Sequence, residues 1–206
     1  RAGQREGRAR ITFPDGAVYE GGMIAGLMAG KGQLTLADGR VYDGIFTAGQ
    51  MTGKGTLRDP ESGETYEGSL IDGRREGKGR LLLADGGRYE GTFQADLRHG
   101  SGVFHGADGF VYDGQWVEGR AEGRGRITWP DGSVYEGQFT AGRPDGQGRI
   151  TYADGGSYEG DWLDGAITGT GVAHYADGST YEGQFSEARH DGEGVLTKPS
   201  GYRYEG

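Results

Sequence analysis

Nine tyrosines recur along the chain, each followed by a carboxylate and a glycine: Tyr19, Tyr42, Tyr66, Tyr89, Tyr112, Tyr135, Tyr158, Tyr181 and Tyr204. The interval is 23 residues, except between Tyr42 and Tyr66, where it is 24. A second ring follows most of them four positions later, as Phe46, Phe93, Trp116, Phe139, Trp162 and Phe185, and a third row, Trp129, Tyr152 and Tyr175, stands six positions ahead of three of them. Such rings do the chemistry of recognition. Their faces and edges stack, and their apolar bodies leave water.

Bond-making chemistry finds no comparable pattern. The four histidines, His99, His105, His174 and His190, do not fall on repeat positions. No nucleophile motif or zinc-ligand spacing is present, so no catalytic residue and no metal site are expected. The glycine-rich triplets Gly30-Lys31-Gly32, Gly53-Lys54-Gly55 and Gly77-Lys78-Gly79 lack the Lys-Ser/Thr ending and the following helix of a phosphate-binding loop. No cofactor is implied.

The middle residue of each Gly-x-Gly runs Lys31, Lys54, Lys78, Ser101, Arg124, Gln147, Thr170, Glu193. One interpretation is solvated surface variation; the other is that Lys31, Lys54 and Lys78 form a row for anionic lipid headgroups on a membrane surface. The charge balance is uneven. Residues 1–103 carry 14 basic and 14 acidic side chains and residues 104–206 carry 8 and 17, so the second half holds the whole net charge of −9. Nucleic acid, which requires a basic footprint, is disfavoured as a partner.

The elements that must position these residues are legible from alternation. In residues 123–139, Gly125, Ile127 and Trp129 alternate with Arg126 and Thr128, Pro130-Asp131-Gly132 interrupts, and Tyr135, Gly137 and Phe139 alternate with Glu136 and Gln138. Period 2 on both sides of a Pro-Asp-Gly loop predicts a β-hairpin with a three-residue turn. Centring the turn on Asp131 sets Ile127 opposite Tyr135, Arg126 opposite Glu136 and Gly125 opposite Gly137. The same arithmetic pairs Arg149 with Glu159, Arg80 with Glu90 and Arg10 with Glu20. The single extra residue falls in Asp59-Pro60-Glu61-Ser62-Gly63, inside a turn, where it spares strand register. Thr140–Gly146 reads as the connection to the next hairpin. The outcome is all-β: an elongated, twisted, single-layer antiparallel meander of tandem β-hairpins, about 16 strands in one array over residues 1–206, with roughly eight units and partial units at both ends.

Glycine supplies 46 of 206 residues, while only 33% of the chain is apolar. A thick core is therefore not expected, and the glycines, in phase with the rings, mark turns and close backbone approaches. There is no cysteine, so neither a disulfide framework nor a thiolate metal site can be built. The sequence opens on Arg1 and stops at Glu205-Gly206 without a returning strand, as a segment of a longer chain would.

The repeated Tyr-Glu-Gly-x-Phe/Trp word, the Gly-x-Gly eleven residues after each tyrosine and the 23-residue period resemble MORN repeats across almost the whole chain. Met23 and Leu70 replace the second ring, Ala9 replaces a glycine, and Asp59, Gly106 and Lys198 occupy strand positions that are elsewhere apolar; these units are expected to pack less well. The resemblance implies elongated single-layer sheets that serve as binding or scaffolding modules, with protein segments and phospholipids both proposed as ligands.

The rings thus have two possible employments. They are the core, stacked from unit to unit, or, with nothing layered over that face, they form an exposed groove. On the second view the groove comprises Tyr42, Phe46, Tyr89, Phe93, Tyr112, Trp116, Trp129, Tyr135, Phe139, Tyr152, Tyr158, Trp162, Tyr175, Tyr181 and Phe185, and it captures an extended or helical segment of another protein. Replacing Trp116 and Trp162 by alanine is then expected to abolish capture with little loss of fold. Binding of anionic phospholipid at a membrane surface is the alternative function, and glycan binding by the aromatic rows a further one. Uncapped edge strands also raise self-association, as a homodimer or edge to edge.

Overall fold

The structure is a computed structural model and describes residues 6–206. Those residues form strands and turns, and contact density divides them into one unit ending at Ala107 and a second spanning Asp108–Gly206.

The first unit is a nine-stranded antiparallel meander: β1 (Gly7–Thr12), β2 (Val18–Ile24), β3 (Leu27–Thr35), β4 (Val41–Thr47), β5 (Gln50–Arg58), β6 (Thr65–Ile71), β7 (Arg74–Leu82), β8 (Arg88–Gln94) and β9 (Leu97–His105). The second repeats the plan with β10 (Val111–Val117), β11 (Arg120–Thr128), β12 (Val134–Thr140), β13 (Arg143–Thr151), β14 (Ser157–Leu163), β15 (Ala166–His174), β16 (Thr180–Ser186), β17 (Arg189–Thr197) and β18 (Arg203–Glu205). The partial repeats contribute β1 and β18, which brings the strands to 18 where about 16 were expected.

The predicted register holds to the residue. Ile127 lies opposite Tyr135, Arg126 opposite Glu136 and Gly125 opposite Gly137; Arg149 faces Glu159, Arg80 faces Glu90 and Arg10 faces Glu20. Arg126–Glu136 and Arg10–Glu20 close to 2.9 and 3.0 Å, and Arg149–Glu159 to 3.9 Å. All three pairs lie in solvent, so each contributes well under ~1 kcal/mol.

Two kinds of turn alternate. At the Pro-Asp-Gly loop, Gly132 N–H donates to Trp129 C=O at 3.0 Å, Trp129 N–H to Ser133 C=O at 2.9 Å, and Ser133 N–H to the Asp131 carboxylate at 2.8 Å. Gly132 has φ +90°, the left-handed position that closes a type I turn with a glycine bulge. The extra residue between β5 and β6 widens this turn alone: Asp59 accepts the amides of Glu61 and Ser62 through its side chain and that of Gly63 through its carbonyl.

The second connection is shorter than the sequence suggests. Between β12 and β13 only Ala141 and Gly142 are in the turn, both with positive φ, 52° and 89°. Two left-handed residues make the two-residue turn whose twist matches paired strands. Arg143, Pro144, Asp145 and Gly146, which read as a loop, therefore begin β13, where Pro144 lies opposite Phe139. Gly146, at φ +97°, turns the strand so that residues 145–147 oppose Gln138 alone, before Gly148 pairs with Gly137. Gln138 supplies a side-chain acceptor at this bulge, taking the Gln147 amide at 2.8 Å. Gln115, Asp161 and Gln184 do the same for Arg124, Thr170 and Glu193.

Candidate partner-binding face

The repeated tyrosine is held by a pair of glycines. In β12 the Tyr135 ring lies across the opposed backbones of Gly137 and Gly148; a Cβ on Gly137 would stand 2.6 Å from both Tyr135 Cζ and Gly148 Cα. The same arrangement occurs at Tyr19, Tyr42, Tyr66, Tyr89, Tyr112, Tyr158 and Tyr181. Each hydroxyl then donates to the carbonyl three residues ahead, at the bulge. Tyr135 reaches Gln138 at 2.9 Å, Tyr112 reaches Gln115 at 2.8 Å, and Tyr66 reaches Ser69 at 2.8 Å. Ring, glycine pair and bulge are one device, in which the missing side chains make room for the ring and the hydroxyl satisfies a carbonyl that the bulge frees.

Burial suppresses ionisation of four of these phenols most strongly. It pushes Tyr66, Tyr112, Tyr135 and Tyr158 up to about 12.

The second rings bridge successive tyrosines edge to face. In the second unit Trp116, Tyr112, Phe139, Tyr135, Trp162, Tyr158, Phe185 and Tyr181 form an unbroken T-shaped series with centroids 4.9–5.8 Å apart. Trp162 also donates its indole N–H to Gly148 C=O at 3.1 Å. In the first unit Tyr19–Phe46–Tyr42 and Tyr66–Phe93–Tyr89 form two shorter series. Leu70 takes a ring position there and is buried, as is Met23. Those two units do not pack loosely, because aliphatic side chains fill the same space.

Most of the candidate residues are therefore interior. Tyr42, Phe46, Tyr89 and Phe93 in the first unit, and Tyr112, Trp116, Tyr135, Phe139, Tyr158, Trp162, Tyr181 and Phe185 in the second, are all buried. Trp116 and Trp162 retain only 5% and 8% of their surface, so their removal cannot leave the fold nearly untouched as expected; loss of a buried tryptophan costs roughly 3–5 kcal/mol. The third row differs. Trp129 is half-buried, and Tyr152 and Tyr175 each keep 40% of their surface.

Around the last two lies a cavity of about 300 Å³, walled by Tyr152, Tyr158, Ile167, Ala173, Tyr175 and Phe185 with Asp154 among its lining residues. Its neighbour His190, opposite Phe185, stacks on Tyr181 at 3.5 Å and meets the Tyr175 hydroxyl at 2.6 Å. Desolvation lowers the His190 pKa, favouring the neutral ring.

His190 belongs to a row that the sequence did not announce: Arg75, Arg98, Pro144 and Ile167 are its counterparts, each opposite a second-ring position. The Arg75 guanidinium lies 5.5 Å from the Phe93 centroid, and that of Arg98 lies 5.8 Å from Tyr89. Their common offset, two residues after each short turn, is the signal that would have revealed them.

The MORN repeat pattern matches the chain nine times, at residues 1–18, 19–39, 42–63, 66–88, 89–111, 112–134, 135–157, 158–180 and 181–201. The chain belongs to the MORN-repeat family. No curated protein sequence matches it. Among solved structures, this MORN chain is similar to the wild-type TCP10 domain of Danio rerio CPAP in complex with a peptide of Danio rerio STIL, with TM-score 0.58, 16% identity, and coverage of 98% of this chain and 89% of that one. The G-box domain of the microcephaly protein CPAP is also similar, with TM-score 0.52, 14% identity, and coverage of 97% and 98%. At such identities the likeness is one of fold.

The opposite, polar face of the first MORN unit carries the lysines. Lys54 and Lys78, with Arg80, line a groove that also presents Thr56, Ser69, Thr92 and Ser101 and is interrupted by Glu67 and Glu90. Lys31 lies one repeat earlier, opposite Ile45.

Proposed function

We propose that this MORN chain is a non-catalytic protein-binding scaffold, and that its ring face holds a segment of a partner polypeptide. The observation that carries this proposal is the third row, half-buried Trp129 with exposed Tyr152 and Tyr175, the last two lining an apolar cavity, seated on a series of interlocked buried rings. The buried candidates form the rigid floor and the third row makes the contacts. Exposed rings held by a stiff support lose little entropy when a partner arrives. The likeness to a TCP10 domain solved with a bound STIL peptide supports a polypeptide as the ligand. The carboxylates have structural employment, Asp131, Asp154 and Asp177 accepting turn amides and Glu136 and Glu159 pairing across strands, which supports a module without catalysis.

Panning a random-peptide display library against the chain tests this. Enriched peptides are expected to bind the parent chain and to lose binding in Trp129→Ala and Tyr152→Ala, with thermal unfolding lowered less than by Trp162→Ala. Failure to enrich any peptide, or binding indifferent to both substitutions, would contradict it.

A second function is favoured by one feature, the groove that gathers Lys54, Lys78 and four hydroxyl side chains on the polar face of the first unit. We propose anionic phospholipid headgroups as its ligand, with Lys31 extending the row. Flotation with phosphatidylserine vesicles, lost on joint replacement of the three lysines by glutamine, is the expected result; flotation unaffected by those replacements would remove the idea.

A further inference from the structure

The third-row rings share a pitch, a charge environment and a side of the sheet, which together select one conformation of ligand. Trp129, Tyr152 and Tyr175 follow directly on β11, β13 and β15, so consecutive rings are two strands apart. With neighbouring strands ~4.8 Å apart, the repeat between rings is ~9.6 Å. A polyproline II helix advances ~3.1 Å per residue with three residues per turn, and so returns the same side every ~9.3 Å. Across two repeats the mismatch is ~0.6 Å. Two turns of α-helix advance ~10.8 Å and drift by ~2.4 Å over the same span. An extended strand turns every third residue to the opposite side. Sheet twist of ~20–25° per strand limits the footprint to the three rings, about seven ligand residues.

The charge is specific as well. Each ring is followed two residues later by an exposed aspartate, Asp131, Asp154 or Asp177, and residues 108–206 hold 17 acidic and 8 basic side chains. The turn hydrogen bonds of Asp177 hold its carboxyl below the usual range, which keeps it ionised. The corresponding positions of the first unit are Phe13, Leu36, Asp59, Leu83 and Gly106, with one ring among them, and that half of the chain is neutral. Ring triplet and negative field therefore coincide in the second unit.

We infer that Trp129, Tyr152 and Tyr175 form a docking site for a basic polyproline II segment, with proline at every third position on the rings and arginine or lysine between them reaching Asp131, Asp154 and Asp177. Proline rings pack on aromatic faces, and the unpaired carbonyls of such a helix accept from phenol and indole donors. The cavity between Tyr152 and Tyr175 receives one proline. This inference rests on the protein-binding function proposed above and narrows it to one ligand class.

The test uses the 206-residue chain and fluorescein-labelled peptides, read by anisotropy. One peptide carries proline at every third position with arginines between; a second has the same composition with proline at every fourth; a third replaces arginine by glutamate; a fourth is an amphipathic helix of equal charge. The first is expected to bind saturably, about tenfold tighter than the second, with no detectable binding of the third. Tyr152→Ala/Tyr175→Ala weakens it about tenfold. Asp154→Asn/Asp177→Asn, which keeps the turn acceptors, weakens it and flattens its salt dependence. Equal affinity for the first two peptides would show charge attraction alone and overturn the inference. Tighter binding of the helical peptide through the same tyrosines would overturn it while leaving the protein-binding function intact. No binding of any peptide, together with an empty display selection, would end both.

Discussion

At the scale of the residue, the recurring word Tyr-Glu-Gly is a set of assigned tasks. The tyrosine ring covers two glycines and its hydroxyl serves the bulge; the glutamate stands on the other face, against arginine in several repeats. Tyr135→Phe removes only the hydroxyl and should cost about 1–2 kcal/mol, because the Gln138 carbonyl is left without its donor. Gly148→Ala should cost more, since the new Cβ would stand 2.6 Å from Tyr135 Cζ and the ring has no free space to enter. Urea unfolding of the two variants ranks them. Four of the buried phenols also set an alkaline limit. Their folded pKa, about 12 for Tyr66, Tyr112, Tyr135 and Tyr158, exceeds the ordinary 10.0, so the stability they contribute is whole below pH 10 and is lost as pH rises toward 12. Thermal unfolding recorded across that window, alongside tyrosinate absorbance, should show the midpoint falling as the unfolded chain ionises.

At the scale of the element, the turns differ in what they tolerate. The short turn needs two left-handed residues, and most repeats supply glycine at the second, as Gly142 does; Glu187-Ala188 supplies none, with Ala188 at φ 61°. Ala188→Gly should therefore raise stability by about 0.5–1 kcal/mol and Gly142→Ala lower it by a similar amount, as measured by chemical denaturation. Asp96, also left-handed at φ 72°, is compensated because its carboxylate accepts the Arg75 amide at 2.8 Å. The long hairpin was legible because its turn residues and its alternation agree: Ile127 and Tyr135 face each other as period 2 requires, and the insertion at residues 59–63 stayed in the loop. The start of β13 was not legible. Pro144, Asp145 and Gly146 each favour a turn locally, and only pairing with β12 makes them strand. Exposure of the rings was likewise hidden, since the sequence gives their face but not the edge-to-face bridging by which Trp116, Phe139 and Trp162 cover the tyrosines. That Trp129, Tyr152 and Tyr175 keep more surface than the first and second rings of their own repeats follows from their place just beyond the strand ends.

At the scale of the whole molecule, each hairpin touches chiefly its neighbours, so stability is a sum of repeat and interface contributions. Deleting residues 135–157, one full 23-residue period, joins Val134 to Tyr158 in register, and the shortened chain should unfold in one cooperative transition by circular dichroism; deleting half that length should not leave a folded chain. The full-period deletion also removes Tyr152, one of three ring contacts, and should weaken peptide binding without abolishing it. The charge follows the same division, neutral through residue 107 and −9 beyond it, so a basic partner is drawn to the second unit, where the exposed rings are. The chain has three tryptophans, one of them on the proposed contact surface and two in the floor beneath it. Indole ¹⁵N–¹H spectra during titration with the arginine-bearing polyproline peptide report on all three at once. The Trp129 resonance should shift saturably while those of Trp116 and Trp162 stay in place; a spectrum in which Trp129 does not move at saturating peptide would contradict recognition through this face.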